Sequence, residues 1–319
     1  MKLNDSVFVV IRSIGERTEA LCKHYIELQG ISSSNLVIIN RTPFHEALAQ
    51  SFREGIKASL KYTLMVDADV LLRKDSIINS INEFEKQDAK CFELQGRVLD
   101  KFFGGPREAG FHLYKTRYLE KLLKESIKFQ NSLRPEGEII KHLSKQGLTF
   151  VRANILLGLH DFEQSNVDIY RKAFVQARKH LYRGELFISN CKEKMNNDND
   201  FNIALRGFVD GILTNEDIEI DKNNSLISKM YMEYSFKEKN PIQSYSEFDF
   251  FYLESIINNW NDATLFKQYL GLETKDFLKG GIFNDLSSQK VLTNSKPKMR
   301  ILHKMGNAIA LFGNFLKRI

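Results

Sequence analysis

The sequence predicts an α/β fold, with a mixed, mostly parallel sheet in its first half and a mainly α-helical C-terminal region. Three observations predict it. Short apolar runs rich in β-branched residues recur about every 28 residues near the start, as strands buried on both faces do. The stretches between them carry apolar residues at helical spacing. Beyond residue 165 strand-like runs give way to helical patterns.

The strands read in order as Val7-Phe8-Val9-Val10-Ile11, Leu36-Val37-Ile38-Ile39 and Tyr62-Thr63-Leu64-Met65-Val66. Between the first two, Ala20, Leu21, His24, Tyr25 and Leu28 fall on one helical face. Between the second and third, Phe44, Leu48, Phe52, Ile56 and Leu60 repeat every fourth residue. A third helix starts at the capping residues Asp75 or Ser76 and buries Ile77, Ile78, Ile81 and Phe84. Strands follow at 91–98 and 111–115. A helix over 117–129 buries Leu119, Leu122, Leu123 and Ile127. Another over 136–146 closes on Gly147, in the place where a left-handed C-terminal glycine belongs. A strand at 148–155 completes the first domain, residues 1–165. Residues 166–295 form a helical accessory region, and 296–319 a basic amphipathic helix. The aromatic residues crowding 231–252 read as core.

Hydrophobic residues make up 43% of the 319 and charged residues 27%, which excludes a disordered chain. The net charge of +6 suits an anionic substrate or a membrane surface. No nucleic-acid-binding motif is present, so nucleic acid is not expected as a partner. The apolar run at 7–11 is too short for a secretory leader, and no run approaches the roughly 20 residues of a membrane span. Cys22, Cys91 and Cys191 are odd in number and widely spaced, as reduced thiols are. A cytoplasmic protein, at most peripheral to the membrane, is the expectation.

The strongest motif is Leu64-Met65-Val66-Asp67-Ala68-Asp69-Val70. Two carboxylates stand at i and i+2 where a buried strand ends. Strand alternation puts them on the same side of the chain. Ligands bind at the carboxyl ends of strands in open α/β sheets. Paired carboxylates there are costly unless a cation or a basic side chain compensates them, and a hard divalent ion bridging to phosphate oxygens does so.

This motif resembles the D-x-D of the GT-A glycosyltransferases, a Rossmann-like fold. The resemblance covers about residues 5–165 and extends to a second strand ending in Asn40, to Gly110-Phe111-His112-Leu113-Tyr114 and to Gly158-Leu159-His160-Asp161. It implies that Asp67 and Asp69 hold Mn²⁺ or Mg²⁺ on a nucleoside-diphosphate sugar, with His160 as a further ligand. Asp161 then fixes the imidazole tautomer. Arg12 and Asn40 match the places that cradle base and ribose; Gly110, His112 and Arg107 match the region facing the donor sugar. Arg12 and Asn40 also read as turn residues, and Gly110 and His112 as a loop and a core strand.

The resemblance also implies, for an inverting enzyme, a carboxylate base before a helix that ends in glycine. Glu136 lies eleven residues before Gly147, but the family's Glu-Asp pair is absent and Glu138 competes. Both also suit a first helical turn on electrostatic grounds alone. A retaining enzyme needs no such base. UDP is the default nucleotide, and the acceptor is a glycan or a lipid-linked chain in bacterial surface-polysaccharide synthesis. Leu302, Met305, Ile309, Phe312, Leu316 and Ile319, framed by Lys298, Arg300, Lys304, Lys317 and Arg318, make the last helix fit for an anionic interface, for docking on its own domain, or for pairing with a second subunit as a homo-oligomer. Two other classes compete. A haloacid-dehalogenase-like phosphatase also carries Asp-x-Asp after a strand, but on its first strand and with Thr or Val where Leu71 stands. A non-catalytic interaction protein would leave the carboxylates without a metal.

Overall fold

The computed structural model describes residues 2–130, 132, 135–179, 181–215 and 225–260. The basic helix expected at 296–319 lies outside the described residues. The chain groups into two units. Among described residues the first takes 2–101, 105–164 and 241–260; the second takes 102–104 and 165–240. Residues 241–260, expected within one helical region, thus group with the sheet.

The first unit runs β1 (Val7–Ser13), α1 (Glu19–Glu27), β2 (Leu36–Asn40), α2 (Phe44–Ala58), β3 (Tyr62–Asp67), β4 (Val70–Leu72), α3 (Ser76–Glu85), β5 (Cys91–Asp100), β6 (Gly105–Arg107), β7 (Phe111–Lys115), α4 (Leu119–Lys128), α5 (Pro135–Lys145) and β8 (Thr149–His160). The second unit holds α6 (Asn166–Lys179), α7 (Gly184–Lys194), α8 (Asn199–Leu213) and α9 (Ser225–Glu233). The chain returns to the first unit as α10 (Phe250–Asn259). No helix among the described residues is long and apolar enough to cross a membrane.

The sheet order is β2-β1-β3-β7-β5-β8-β4, with β6 paired to β5. Pairing is parallel across β2-β1-β3 and between β5 and β8, and antiparallel elsewhere. The directions of β1, β2, β3, β5 and β8 therefore agree, and those of β4, β6 and β7 oppose them. The sheet is mixed and mostly parallel, as the alternating pattern predicts, and a helical region follows it.

Strand alternation gives the sheet two apolar faces. Val9, Ile11, Leu64 and Val66 pack with Leu21 and Tyr25 of α1, Ile77, Ile81 and Phe84 of α3, and Leu253 and Ile257 of α10. Phe8, Val10, Met65, Phe92 and Tyr114 pack with Leu48 and Phe52 of α2, Leu119 and Leu122 of α4, and Ile139 and Leu143 of α5. Three residues of the expected apolar faces lie outside: Ala20 is exposed at the start of α1, Leu28 is 47% exposed just past its end, and Ile127 is 61% exposed in the last turn of α4. In the second unit α6 and α8 approach closely at Gly207, where a Cβ would stand 2.3 Å from the Tyr170 carbonyl. Of the aromatics at 231–252, Tyr231 is buried; Tyr234 and Phe236 pack half-buried against the second unit's core, and Phe248, Phe250 and Tyr252 against the first's, while Tyr245 and Phe251 are exposed.

Candidate functional site

The strand directions bring the ends of β1, β2, β3, β5 and β8 to one edge of the sheet. Arg12 stands opposite Asp67, Ser13 opposite Asn40, and Asp100 opposite His160. The start of β7 joins them, because the Asp67 amide donates to the Gly110 carbonyl at 2.8 Å. This is where open α/β sheets bind ligands.

The two carboxylates of the motif part company here. Strand β3 ends at Asp67, and Val70 already belongs to β4, paired with β8. The Ala68 amide donates to the Arg12 carbonyl at 2.9 Å, while the Thr18 hydroxyl donates to the Ala68 carbonyl at 2.7 Å. The β1/β3 ladder thus runs through the Ala68 amide, and residues 68–69 turn the chain from β3 into β4. Asp69 instead belongs with the β8 end: its carbonyl accepts from the Asp161 amide at 3.2 Å.

Asp67 enters a network on the α5 side. Arg12 Nε donates to Asp67 Oδ1 at 2.8 Å, and its Nη1 donates to Glu136 Oε1 at 2.5 Å. The other Glu136 oxygen lies 3.5 Å from His112 Nε2. His112 Nδ1 meets the fully buried Glu93 at 2.7 Å, and the Gln95 amide donates to the same Glu93 oxygen at 3.0 Å. Burial opposes charge on His112, but Glu136 and Glu93 outweigh it and raise its pKa. Burial, with Asp69 and Glu136, raises the Asp67 carboxyl against the pull of Arg12.

Asp69, His160 and Asp161 form the second group, all buried, with one ligand atom from each lying within 4.8 Å of the others. His160 Nε2 lies 3.7 Å from Asp69 Oδ1; its Nδ1 lies 2.9 Å from Asp100 and 3.0 Å from Asp161. Burial works against a charged ring, yet Asp161, Asp69 and Asp100 push His160 up to about 10. Arg107 neutralises Asp100 at 2.6 Å. Arg107 also faces the charges of Asp161 and Asp69, so three carboxylates share Arg107 and the His160 ring proton, and a divalent ion exchanged for that proton adds positive charge. Two carboxylates and an imidazole suit an ion that accepts both oxygen and nitrogen, Mn²⁺ before Mg²⁺. The residues present fit the expected metal.

Of the residues expected from the sequence, Arg12, Asp67, His112 and Glu136 come together, and Asp69 meets His160. Asp67 is not in the metal-type group, and Asp161 is. Asn40 ends β2, exposed, beside Ser13. Glu138 faces outward to Lys141 at 2.7 Å. Glu93, Gln95 and Asp100 went unread by sequence reasoning. Their signal was the polar alternation of Glu93, Gln95 and Arg97 inside an otherwise apolar strand whose ten residues are all buried. Buried polar groups in such a place ask for partners.

Gly110 takes φ +58°, and a Cβ there would stand 2.6 Å from Val70 Cγ2 and 3.2 Å from Asp67 Oδ2. Gly110→Ala combines a left-handed backbone with that crowding. It is expected to lose about 1–3 kcal/mol of stability and to weaken nucleotide binding. Urea unfolding and nucleotide titration read both, and a wild-type profile would show that the turn tolerates a side chain.

No protein-family model matches the chain, and no curated protein does. Solved structures show a distant likeness, two of them as follows. A197 from STIV is 15% identical, with a TM-score of 0.30 over 36% of this chain and 68% of that one. A glycosyltransferase involved in the glycosylation of the major capsid of PBCV-1 is 14% identical, with a TM-score of 0.33 over 46% and 81%. Likeness at this level assigns no activity, so the functional reading rests on the site.

Proposed function

We propose that the chain is a metal-dependent glycosyltransferase that takes a sugar from a nucleoside diphosphate, UDP by default, and passes it to a glycan or lipid-linked acceptor. The observation that carries this reading is the convergence of Asp69, His160 and Asp161 at the carboxyl edge of the sheet, beside the Arg12–Asp67–Glu136 network. Asp69, His160 and Asp161 would hold Mn²⁺ or Mg²⁺, which when bound supplies Lewis-acid charge to a leaving diphosphate. Arg12 fixes Asp67 and Glu136 by charge-assisted hydrogen bonds, so both carboxylates keep one orientation. The missing side chain at Gly110 leaves the Asp67 carboxylate approachable for a hydroxyl. Asn40 offers an amide to base or ribose beyond the end of β2.

Thermal shift with nucleoside diphosphates, with and without Mn²⁺, tests the reading, because a ligand of the native state stabilises it by mass action. UDP and Mn²⁺ together are expected to raise the Tm more than the sum of each alone. No shift with any nucleoside diphosphate would end the proposal.

For an inverting reaction Glu136 is the base. Glu136→Gln is expected to lower turnover by about 10²–10⁴ while nucleotide affinity stays within a few-fold, since a base acts on the chemical step. Glu138→Gln is expected to leave turnover unchanged, because its carboxylate is spent on Lys141. Comparable turnover in both variants would remove the base from this helix and favour retention.

The proposal extends to bacterial surface-polysaccharide synthesis at the cytoplasmic face, with residues 296–319 giving peripheral attachment to anionic lipid; pairing of two copies is the alternative use of that segment. Each basic residue near an anionic surface adds roughly 1 kcal/mol, screened by salt. Full-length protein is expected to sediment with anionic liposomes at low salt, and a chain ending at Ser295 to stay in the supernatant. Equal behaviour of the two defeats the membrane assignment.

A further inference from the structure

Asp100 is the least expected member of the site. It ends β5, is 1% exposed, and stands opposite His160 in the parallel β5/β8 ladder. The Lys101 amide donates to the His160 carbonyl at 3.1 Å, which locks the two strand ends together. The Asp100 carboxylate therefore reaches His160 from a rigid platform. Asp161 reaches the same ring nitrogen from a loop, at φ +64°.

We infer that Asp100 is a positioning residue that holds His160 Nδ1–H, turns Nε2 toward the ion beside Asp69, and so releases Asp161 to be a ligand. The inference rests on the metal reading above. Three observations support it. Asp100 Oδ2 lies 2.9 Å from Nδ1 and Asp69 Oδ1 lies 3.7 Å from Nε2, so the two carboxylates flank different nitrogens of the ring. Arg107 Nε donates to the same Asp100 oxygen at 2.6 Å, which neutralises that carboxylate and keeps it out of competition for a cation. The Asp161 amide donates to the Asp69 carbonyl, which ties the Asp161 backbone to the turn that carries Asp69. A carboxylate behind a ligating histidine fixes its tautomer and raises its donor strength.

The test is Mn²⁺ binding to full-length protein, followed by the dissociation constant and by the nitrogen coupling of the bound Mn²⁺ in pulsed electron paramagnetic resonance. Asp100→Leu removes the acceptor but strands the buried Arg107 charge. The double variant Asp100→Leu/Arg107→Met removes both partners and protects the test from a folding failure. The double variant is expected to bind Mn²⁺ about 10–100-fold more weakly and to lose the imidazole nitrogen coupling. Asp100→Asn, which keeps an acceptor oxygen, is expected to restore the coupling. Asp161→Asn is expected to weaken binding and keep it. Wild-type affinity and coupling in the double variant, or loss of coupling in Asp161→Asn alone, overturns the inference and leaves the metal site standing. A wild-type protein that binds no Mn²⁺ overturns both.

Discussion

Asp69→Asn is expected to lower sugar transfer by about 10²–10⁴, because a metal clamp contributes several kcal/mol to leaving-group stabilisation. Asp69 combines burial, the 3.7 Å approach to His160 Nε2 and the backbone link to Asp161, so it is the carboxylate that ties the turn after β3 to the end of β8. An amide in its place removes one of the two negative charges that this set of three ligands carries. The fold is expected to survive, and even to gain, since Asp69 opposes the charge on Asp67. Asp67→Asn separates the two roles of the motif: it is expected to disturb nucleotide binding through Arg12 while leaving Mn²⁺ affinity close to wild type. Turnover and Mn²⁺ titration of both variants decide the matter. Full-rate transfer by chelator-treated wild type, or an equal loss of Mn²⁺ affinity in both variants, contradicts this division.

The sheet was legible because its strands announce themselves. Three apolar runs with helical stretches between them leave few alternatives to parallel strands, and β1, β2 and β3 pair accordingly. The end of β3 was not legible. Nothing in Val66-Asp67-Ala68-Asp69-Val70 says that the chain leaves β3 after Asp67 and enters β4 at Val70, because that switch is set by pairing with the distant β8. A period-two argument uses local geometry alone, so it could not show that Asp67 meets Arg12 while Asp69 meets the end of β8. His160 was read at a strand end, although the strand predicted there stopped five residues early. Asp100 and Glu93 were hidden for a different reason. A charged residue in an apolar strand is recognisable as needing a partner, but the partners lie 60 and 19 residues away, at His160 and His112, and only pairing of β5 with β8 and β7 brings them together. The second unit's helices were visible as periodicity, whereas their contact at Gly207 depends on a close approach that no pattern of apolar residues encodes.

Arg12→Met carries the largest expected effect on stability. The Arg12 side chain is 4% exposed, and its guanidinium holds Asp67 and Glu136 on two different nitrogens while lying 5.1 Å from the centre of the Phe44 ring. Methionine fills much of the volume and removes all of the charge. Asp67 and Glu136 then stand in a mostly buried setting with their shared cation gone, and breaking a buried pair from one side costs about 3–5 kcal/mol. The loss is expected to depend on pH, and the sign follows from Asp67. Its carboxyl is already raised in the folded protein by burial, Asp69 and Glu136, against the lowering influence of Arg12. Without Arg12 it rises further above its unfolded value. Between those two values the native state binds more protons than the unfolded chain, so stability falls as pH rises through that window and returns as pH falls through it. A carboxylate held down by a salt bridge behaves in the opposite way. Urea unfolding of Arg12→Met and wild type at pH 7.5 and at pH 5 measures the difference, which is expected to be smaller at the lower pH. Adding Glu136→Gln to Arg12→Met is expected to recover part of the loss, because it removes one of the two stranded charges. A deficit below about 1 kcal/mol at pH 7.5, the scale of a surface ion pair, would show that Arg12 does not hold this network together, and a deficit that grows toward acid would show that the charge on Asp67 is not the group left stranded.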